Sequence, residues 1–239
     1  MSNHAILTSE EHRELRVSTT RRAGAGDAVM SALVVPDEFR RVQNEYPILF
    51  RLNLERDRYT ALALFGFENG ENLFLDGDRW DARYRPLSID IQPFLIGRPA
   101  TEGGEAQVHV DLDSPRIASD GEGVRVFDED GRPTPYLETI AEQLGALDAG
   151  WRGSDEFFAA LTRYDLIEPL TIDVTLDSGS EHRLAGYHGI DEDRLQALDA
   201  SELGDLHEAG HLMPIFMALA SLSNLAKLIA RKNAVVARG

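Results

Sequence analysis

The sequence predicts an α+β fold: an antiparallel sheet of meander strands with a helical hairpin and a C-terminal helix packed on it. Three observations lead there. Segments of strand character come first, helical segments follow, then one more strand pair and further helices, an order foreign to a parallel α/β sheet. Turn signals such as Asn69-Gly70 and Asp177-Ser178-Gly179 separate neighbouring strand segments closely enough for hairpins. Between Tyr136 and Tyr164 the apolar spacing changes from alternation to a helical stripe.

Each element has its local reason. Residues 1–26 are polar, poorly periodic and end in Ala23-Gly24-Ala25-Gly26, which predicts a flexible N-terminal arm ahead of a single domain over 27–239. Ser31 to Pro36 (SALVVP) has strand character, and Asp37 to Tyr46 is expected as a short helix with Asp37 at its N-cap, ended by Pro47. PILFRLNL and RYTALALFGF are rich in strand formers, with ENLFL expected as the partner of the latter across Glu68-Asn69-Gly70. Leu87 to Gly97 and Ala106 to Leu112 continue the strand signal around the loop GRPATEGGEA, and VRVFDEDGRPTP reads as a small hairpin. Leu137, Ile140, Ala141, Leu144 and Leu147 form one helical stripe; a second helix is expected to restart after a cap at Ser154, giving the helical hairpin. LTIDVTLDSGSEHRLAGYHGI supplies two more strands, DEDRLQAL and SELGDLHEAG two short helices, and Pro214 toward Lys232 a last helix with its cations at the C-terminal end.

Composition narrows the function. An apolar fraction of 43% in 239 residues belongs to a folded chain. A formal charge of -17 disfavours a nucleic-acid partner, which is held by clustered cations. The absence of cysteine removes disulfides, thiolate nucleophiles and Cys-based metal sites. The N-terminus lacks the apolar core of a secretory signal. The most apolar stretch, LMPIFMALASLSNLAKLIA, carries Pro214, several serines and Lys227, where a bilayer span wants about 20 predominantly apolar residues. A soluble cytoplasmic protein without a membrane span is therefore expected.

Several short motifs invite chemistry. His207 to His211 (HEAGH) has the H-E-x-x-H spacing of zinc proteases, in which two histidines on one helical face hold the metal. No His, Asp or Glu follows His211 to act as the usual downstream ligand, and Gly210 with Pro214 signals a helix end inside the motif. His109 and Asp111 match the start of a two-His-one-carboxylate iron triad, with His188 as third ligand and Arg194 as a clamp for an oxoacid. Alternating polar residues on one strand face explain the same pattern. Asp128, Asp130 and Gly131 resemble part of a calcium loop, but Val126 occupies a ligand position and a turn explains them. Ser221 and Ser223 lie in an apolar helix without a nucleophile elbow, and no phosphate loop is present. Trp80, Tyr84, Phe94 and Trp151 could line a pocket or serve as core.

The chain resembles the SapC-like bacterial proteins. VVPDEFRRVQNEYPILF, RYTALALFGFENGENLFL, PFLIG, LDSPRI, VFDEDGRPTPYLETI, LAGYHGIDEDRLQAL and GHLMPIFMALASLSNLAKLIARK carry the likeness, across most of residues 30–232. The resemblance implies a soluble protein of unassigned activity, encoded beside flavin-dependent halogenase-like proteins and TonB-dependent receptors, and it supplies no catalytic residue. The expectation is a non-enzymatic accessory protein that engages a partner protein or peptide through an apolar face or groove. No catalytic, cofactor or metal residue is assigned, and homo-oligomerisation is left open. The alternative is a non-haem iron oxygenase using His109, Asp111 and His188.

Overall fold

The computed structural model describes residues 3–55, 57–97, 106–118 and 121–238; most of the expected loop GRPATEGGEA lies outside them. In chain order come β1 (His4–Ile6), α1 (Ser9–His12), β2 (Arg16–Val17), β3 (Ser31–Val34), α2 (Phe39–Val42), β4 (Ile48–Leu52), β5 (Tyr59–Leu64), β6 (Leu75–Asp76) and β7 (Arg79–Trp80). Then follow α3 (Leu87–Asp90), β8 (Phe94–Gly97), β9 (Gln107–Asp111), β10 (Val124–Arg125), α4 (Pro135–Arg163), β11 (Ile167–Thr175) and β12 (Glu181–Ile190). Four helices close the chain: α5 (Glu192–Gln196), α6 (Ala200–Glu208), α7 (Leu212–Ser221) and α8 (Asn224–Val236). Every strand pair is antiparallel, and the fold is α+β as predicted.

The chain divides into two compact units. Unit 1 comprises Met1–Ala28, Leu75–Asp81 and Leu87–Ala149; unit 2 comprises Val29–Phe74, Ala82–Pro86 and Gly150–Gly239.

In unit 1, β1, β9 and β8 form a sheet in that order, and β2 pairs with β10. The expected N-terminal arm is instead part of the fold. Ile6 pairs with His109, Val17 is fully buried in the core, and the Thr8 hydroxyl caps α1 by accepting from Glu11 N at 3.3 Å. The core combines Val17, Phe94, Val110 and Phe127 with Leu137, Ile140 and Leu144, the predicted stripe of α4. Burial holds the Tyr136 phenol above its ordinary range, against the opposing pull of Arg21 and Arg116.

Two guanidinium groups sit inside this unit. Arg116, 1% exposed, donates to Asp27 at 2.5 Å and to Thr20 O at 3.1 Å. Arg21 pairs with Asp90 at 2.9 Å and reaches Asp27 at 3.5 Å. Arg21 also corrects the expected strand over Leu87 to Gly97. It takes the Ile89 carbonyl at 3.0 Å and the Asp90 carbonyl at 3.4 Å, acceptors that a ladder would have used, so only Phe94–Gly97 is extended.

Unit 2 is built on a five-stranded sheet in the order β11-β12-β4-β5-β3. β12 and β4 pair through Tyr187↔Arg51 and His188↔Phe50. ENLFL is not the ladder partner expected for β5, because β3 and β4 occupy both of its edges. The Gly70 turn is retained at φ 79°, and Leu73 N still donates to Phe65 O at 2.9 Å.

Two helix boundaries also differ from expectation. Pro36 begins a 3₁₀ turn that precedes α2, which moves the N-cap from Asp37 to Val35. The buried Glu38 carboxylate reaches back to Val35 N at 3.2 Å and accepts from Tyr84 Oη at 2.6 Å. The helical hairpin is replaced by one continuous 29-residue helix, α4. Ser154 does not cap a second helix; its hydroxyl donates to Gly150 O at 2.8 Å within the ladder. Gly150 lets Val35 approach so closely that an added Cβ would stand 2.6 Å from Val35 Cγ2.

The core of unit 2 is aromatic, with edge-to-face contacts of Phe157 on Phe39 at 6.0 Å and of Phe158 on Phe50 at 5.2 Å. The single expected final helix is two helices, α7 and α8, meeting at Leu222 and Ser223. Polar groups fasten them to unit 2. Ser221 Oγ accepts from Ile48 N at 2.8 Å, Asn224 donates to Gln43 O at 2.8 Å, and Lys232 pairs with Glu71 at 2.6 Å.

Candidate binding surfaces

HEAGH is a helix terminus. α6 ends at Glu208, Gly210 adopts φ 75°, His211 N donates to Leu206 O at 2.8 Å and Gly210 N to His207 O at 3.0 Å. These paired bonds are the glycine-dependent Schellman stop. His207 is exposed near the end of α6, while His211 packs edge-on against Phe157 at 5.6 Å. Burial lowers the His211 pKa from its ordinary 6.5, against the nearby Glu156.

The remaining polar candidates have local roles. His109 and Asp111 share β9 in unit 1, whereas His188 lies on β12 in unit 2. The His109 ring covers Gly97, where a Cβ would lie 1.9 Å from Nε2, and Asp111 accepts from Asp113 N at 3.2 Å. His188 stands edge-on to Tyr59 at 5.2 Å. Arg194 ties Tyr164 O at 3.0 Å to Glu202 at 2.9 Å, so its fork is engaged within unit 2. Among the described residues, no three His, Asp or Glu gather where they could hold a metal ion.

Asp128 accepts from Asp130 N at 2.9 Å and Arg132 N at 2.8 Å, the side-chain geometry of a turn. Ser221 is buried and structural, and Ser223 donates to Ala220 O at 2.8 Å. Trp80 and Phe94 are buried in unit 1; in unit 2, Tyr84 lies under Arg41 and Trp151 under Arg58 at 4.5 Å. Lys232 keeps its proton above the ordinary lysine range: burial opposes the charge, and Glu71 and Glu68 more than offset it.

Two apolar surfaces emerge instead. In unit 1 an open groove of about 440 Å³ lies among Ile6, Leu7, Val108, Phe127, Pro133 and Leu137. Ile6 is 46% exposed, and its strand, β1, is terminal in the sheet order. The sequence signal for this groove is the apolar pair Ile6-Leu7 directly before Thr8-x-x-Glu11, a capping sequence that marks a folded segment.

In unit 2, Met213 and Phe216 are about half exposed on α7, and Val235 and Val236 on α8. Leu212–Val236 spans 25 residues, and its most apolar 18-residue window has a mean hydropathy of 1.6, long and apolar enough by length and composition to cross a membrane, with 28% of that window buried. Pro214 and Lys227 therefore do not disqualify the stretch as expected; Pro214 sits in the first turn of α7, where it costs no helical hydrogen bond.

No curated protein and no solved structure matches the chain. A protein-family model described as SapC matches residues 7–228 of the 239. With nearly the whole length matched, the chain belongs to the SapC family.

Proposed function

We propose that this SapC-family protein is a non-enzymatic cytoplasmic accessory protein that binds an extended apolar segment of a partner protein in the groove of unit 1. The supporting observation is the groove itself: an open apolar trough beside a sheet-edge strand, with Ile6 presented to solvent at its lip. A partner segment lying along β1 satisfies main-chain hydrogen bonds there, while alternate side chains enter the trough between β1 and α4. Apolar lining supplies affinity, and Thr8, Gln107 and Glu138 at the margin supply polar contacts. The halogenase-like proteins and TonB-dependent receptors implied by the family resemblance are the partners to try first.

Co-expression with each neighbouring gene product, followed by size-exclusion chromatography, tests this function. One product should co-elute with the natural chain, and Ile6→Asp should weaken that association about tenfold or more, since it replaces an apolar contact at the groove's lip with a charge that binding would desolvate. Failure of every neighbour to associate, or an unchanged complex with Ile6→Asp, overturns the proposal. Stoichiometric iron in untagged protein, lost on His109→Ala, would overturn its non-enzymatic part.

A further inference from the structure

From Ala209 to Gly239 the chain contains no Asp or Glu, although 41 of its 239 residues are acidic. The same stretch contains Lys227, Arg231, Lys232 and Arg238, including both lysines of the protein. The buried inner face of α7 and α8 carries Ile215, Ala218, Ser221, Asn224, Leu228 and Lys232. The exposed outer face repeats at the same helical spacing through Met213, Phe216, Ala220, Ser223, Lys227 and Ala230. Four of the seven large apolar side chains exposed among the described residues lie in these two helices.

An apolar helical stretch this long is ordinary when it is the core of its unit, but only 28% of the most apolar window across α7 and α8 is buried. We infer that the outer face of α7 and α8 is a contact surface for a phospholipid bilayer carrying anionic headgroups. The bonds of Ser221, Asn224 and Lys232 hold the inner face on unit 2, so the helices lie along the membrane plane and do not cross it. Met213 and Phe216 enter the acyl boundary. Lys227 and Arg238, which pair with no carboxylate among the described residues, reach the headgroups. Arg231 is engaged inward over the Phe74 ring at 4.4 Å. The carboxylates that touch α8, Glu71 and Glu68, are paired with Lys232 on its inner face, and ions screen charge lying beyond about 8 Å at physiological ionic strength. The site lies in unit 2 and the peptide groove in unit 1, so either can fail without the other.

The test is co-sedimentation of the full chain with unilamellar vesicles of phosphatidylcholine, with and without phosphatidylglycerol. The chain should sediment with the phosphatidylglycerol vesicles and be released by salt. Met213→Glu with Phe216→Glu should cut partitioning about tenfold or more, and Lys227→Ala about fivefold at low salt. These side chains are exposed, so an unchanged thermal transition will show that the variants fold. Absence of sedimentation, or sedimentation unaffected by the double substitution, overturns the inference. So does a vesicle-free dimer that the double substitution dissociates, which would make the face a self-interface.

Discussion

The two units solve the problem of internal stability differently. Unit 1 has short strands and a mainly aliphatic core that includes Phe94 and Phe127, and it encloses a charged network in which Arg116 and Arg21 converge on Asp27. Unit 2 has a five-stranded sheet and a lattice of phenylalanine rings, and its buried cation, Lys232, is held by Glu71 and Glu68. The contrast teaches that a segment with little ladder to hold it, such as the chain through Thr20 and Asp27, can be fixed by directional charge-assisted bonds. A broad sheet is fixed mainly by packing area. Each unit contains one tryptophan, Trp80 in unit 1 and Trp151 in unit 2, so fluorescence of the Trp151→Phe background reports unit 1 and that of the Trp80→Phe background reports unit 2.

The largest effect should come from emptying the ring lattice. Phe157→Ala should cost about 4 kcal/mol in urea denaturation followed through Trp151, since a large buried side chain leaves both lost transfer energy and a cavity. A loss below about 1 kcal/mol would show that the phenylalanines are not what holds unit 2. In unit 1, Asp27→Ala should cost about 3 kcal/mol by Trp80 fluorescence, because it strands buried Arg116. Asp27→Leu with Arg116→Met should recover most of that loss. If the double variant is as unstable as the single one, the network contributes more than charge compensation.

A smaller and sharper comparison lies within α4, which the unit division crosses between Ala149 and Gly150. Gly150→Ala should destabilise by about 1–2 kcal/mol, because its Cβ would meet Val35 Cγ2 at 2.6 Å. Gly145→Ala, with nothing within 4 Å of the added carbon, should stabilise by about 0.5–1 kcal/mol through helix propensity. Thermal melts of the two variants should move in opposite directions.

The smallest effect is a pH dependence confined to unit 2. His211 has its pKa lowered by burial, so the unfolded chain takes up a proton first as pH falls. Its contribution is complete above the ordinary value of 6.5 and declines as pH drops below it. His211→Gln should flatten that part of the Trp151 profile and leave the Trp80 profile unchanged.

What was legible in the sequence was local. Strand-forming composition located β3, β4, β5 and β9, alternation located β11 and β12, and Gly210 with Pro214 correctly placed a helix end inside HEAGH. What was hidden depends on distant partners. Residues 4–17 look like an arm until β9 and β10 pair with them, and Leu87 to Gly97 looks extended until Arg21 captures two carbonyls. Gly150 and Ser154 resemble a break because their spacing does not reveal that Val35 packs against the glycine. The groove was missed for the same reason: its walls come from β1, β9, Phe127 and α4, and the apolar Ile6-Leu7 pair, of which only Ile6 is exposed, is its local trace.

The pairing of β12 with β4 bears on biogenesis. While the ribosome is still making the chain, β4 can pair with β5, and β5 with β3, early, but the other edge of β4 has no neighbour until residues 187 and 188 have emerged. For all that interval a row of unpaired amides and carbonyls beside Phe50 is open to strands of other nascent chains. Abundance in the cell should therefore depend on chaperone supply and translation speed as much as on the strength of the finished sheet.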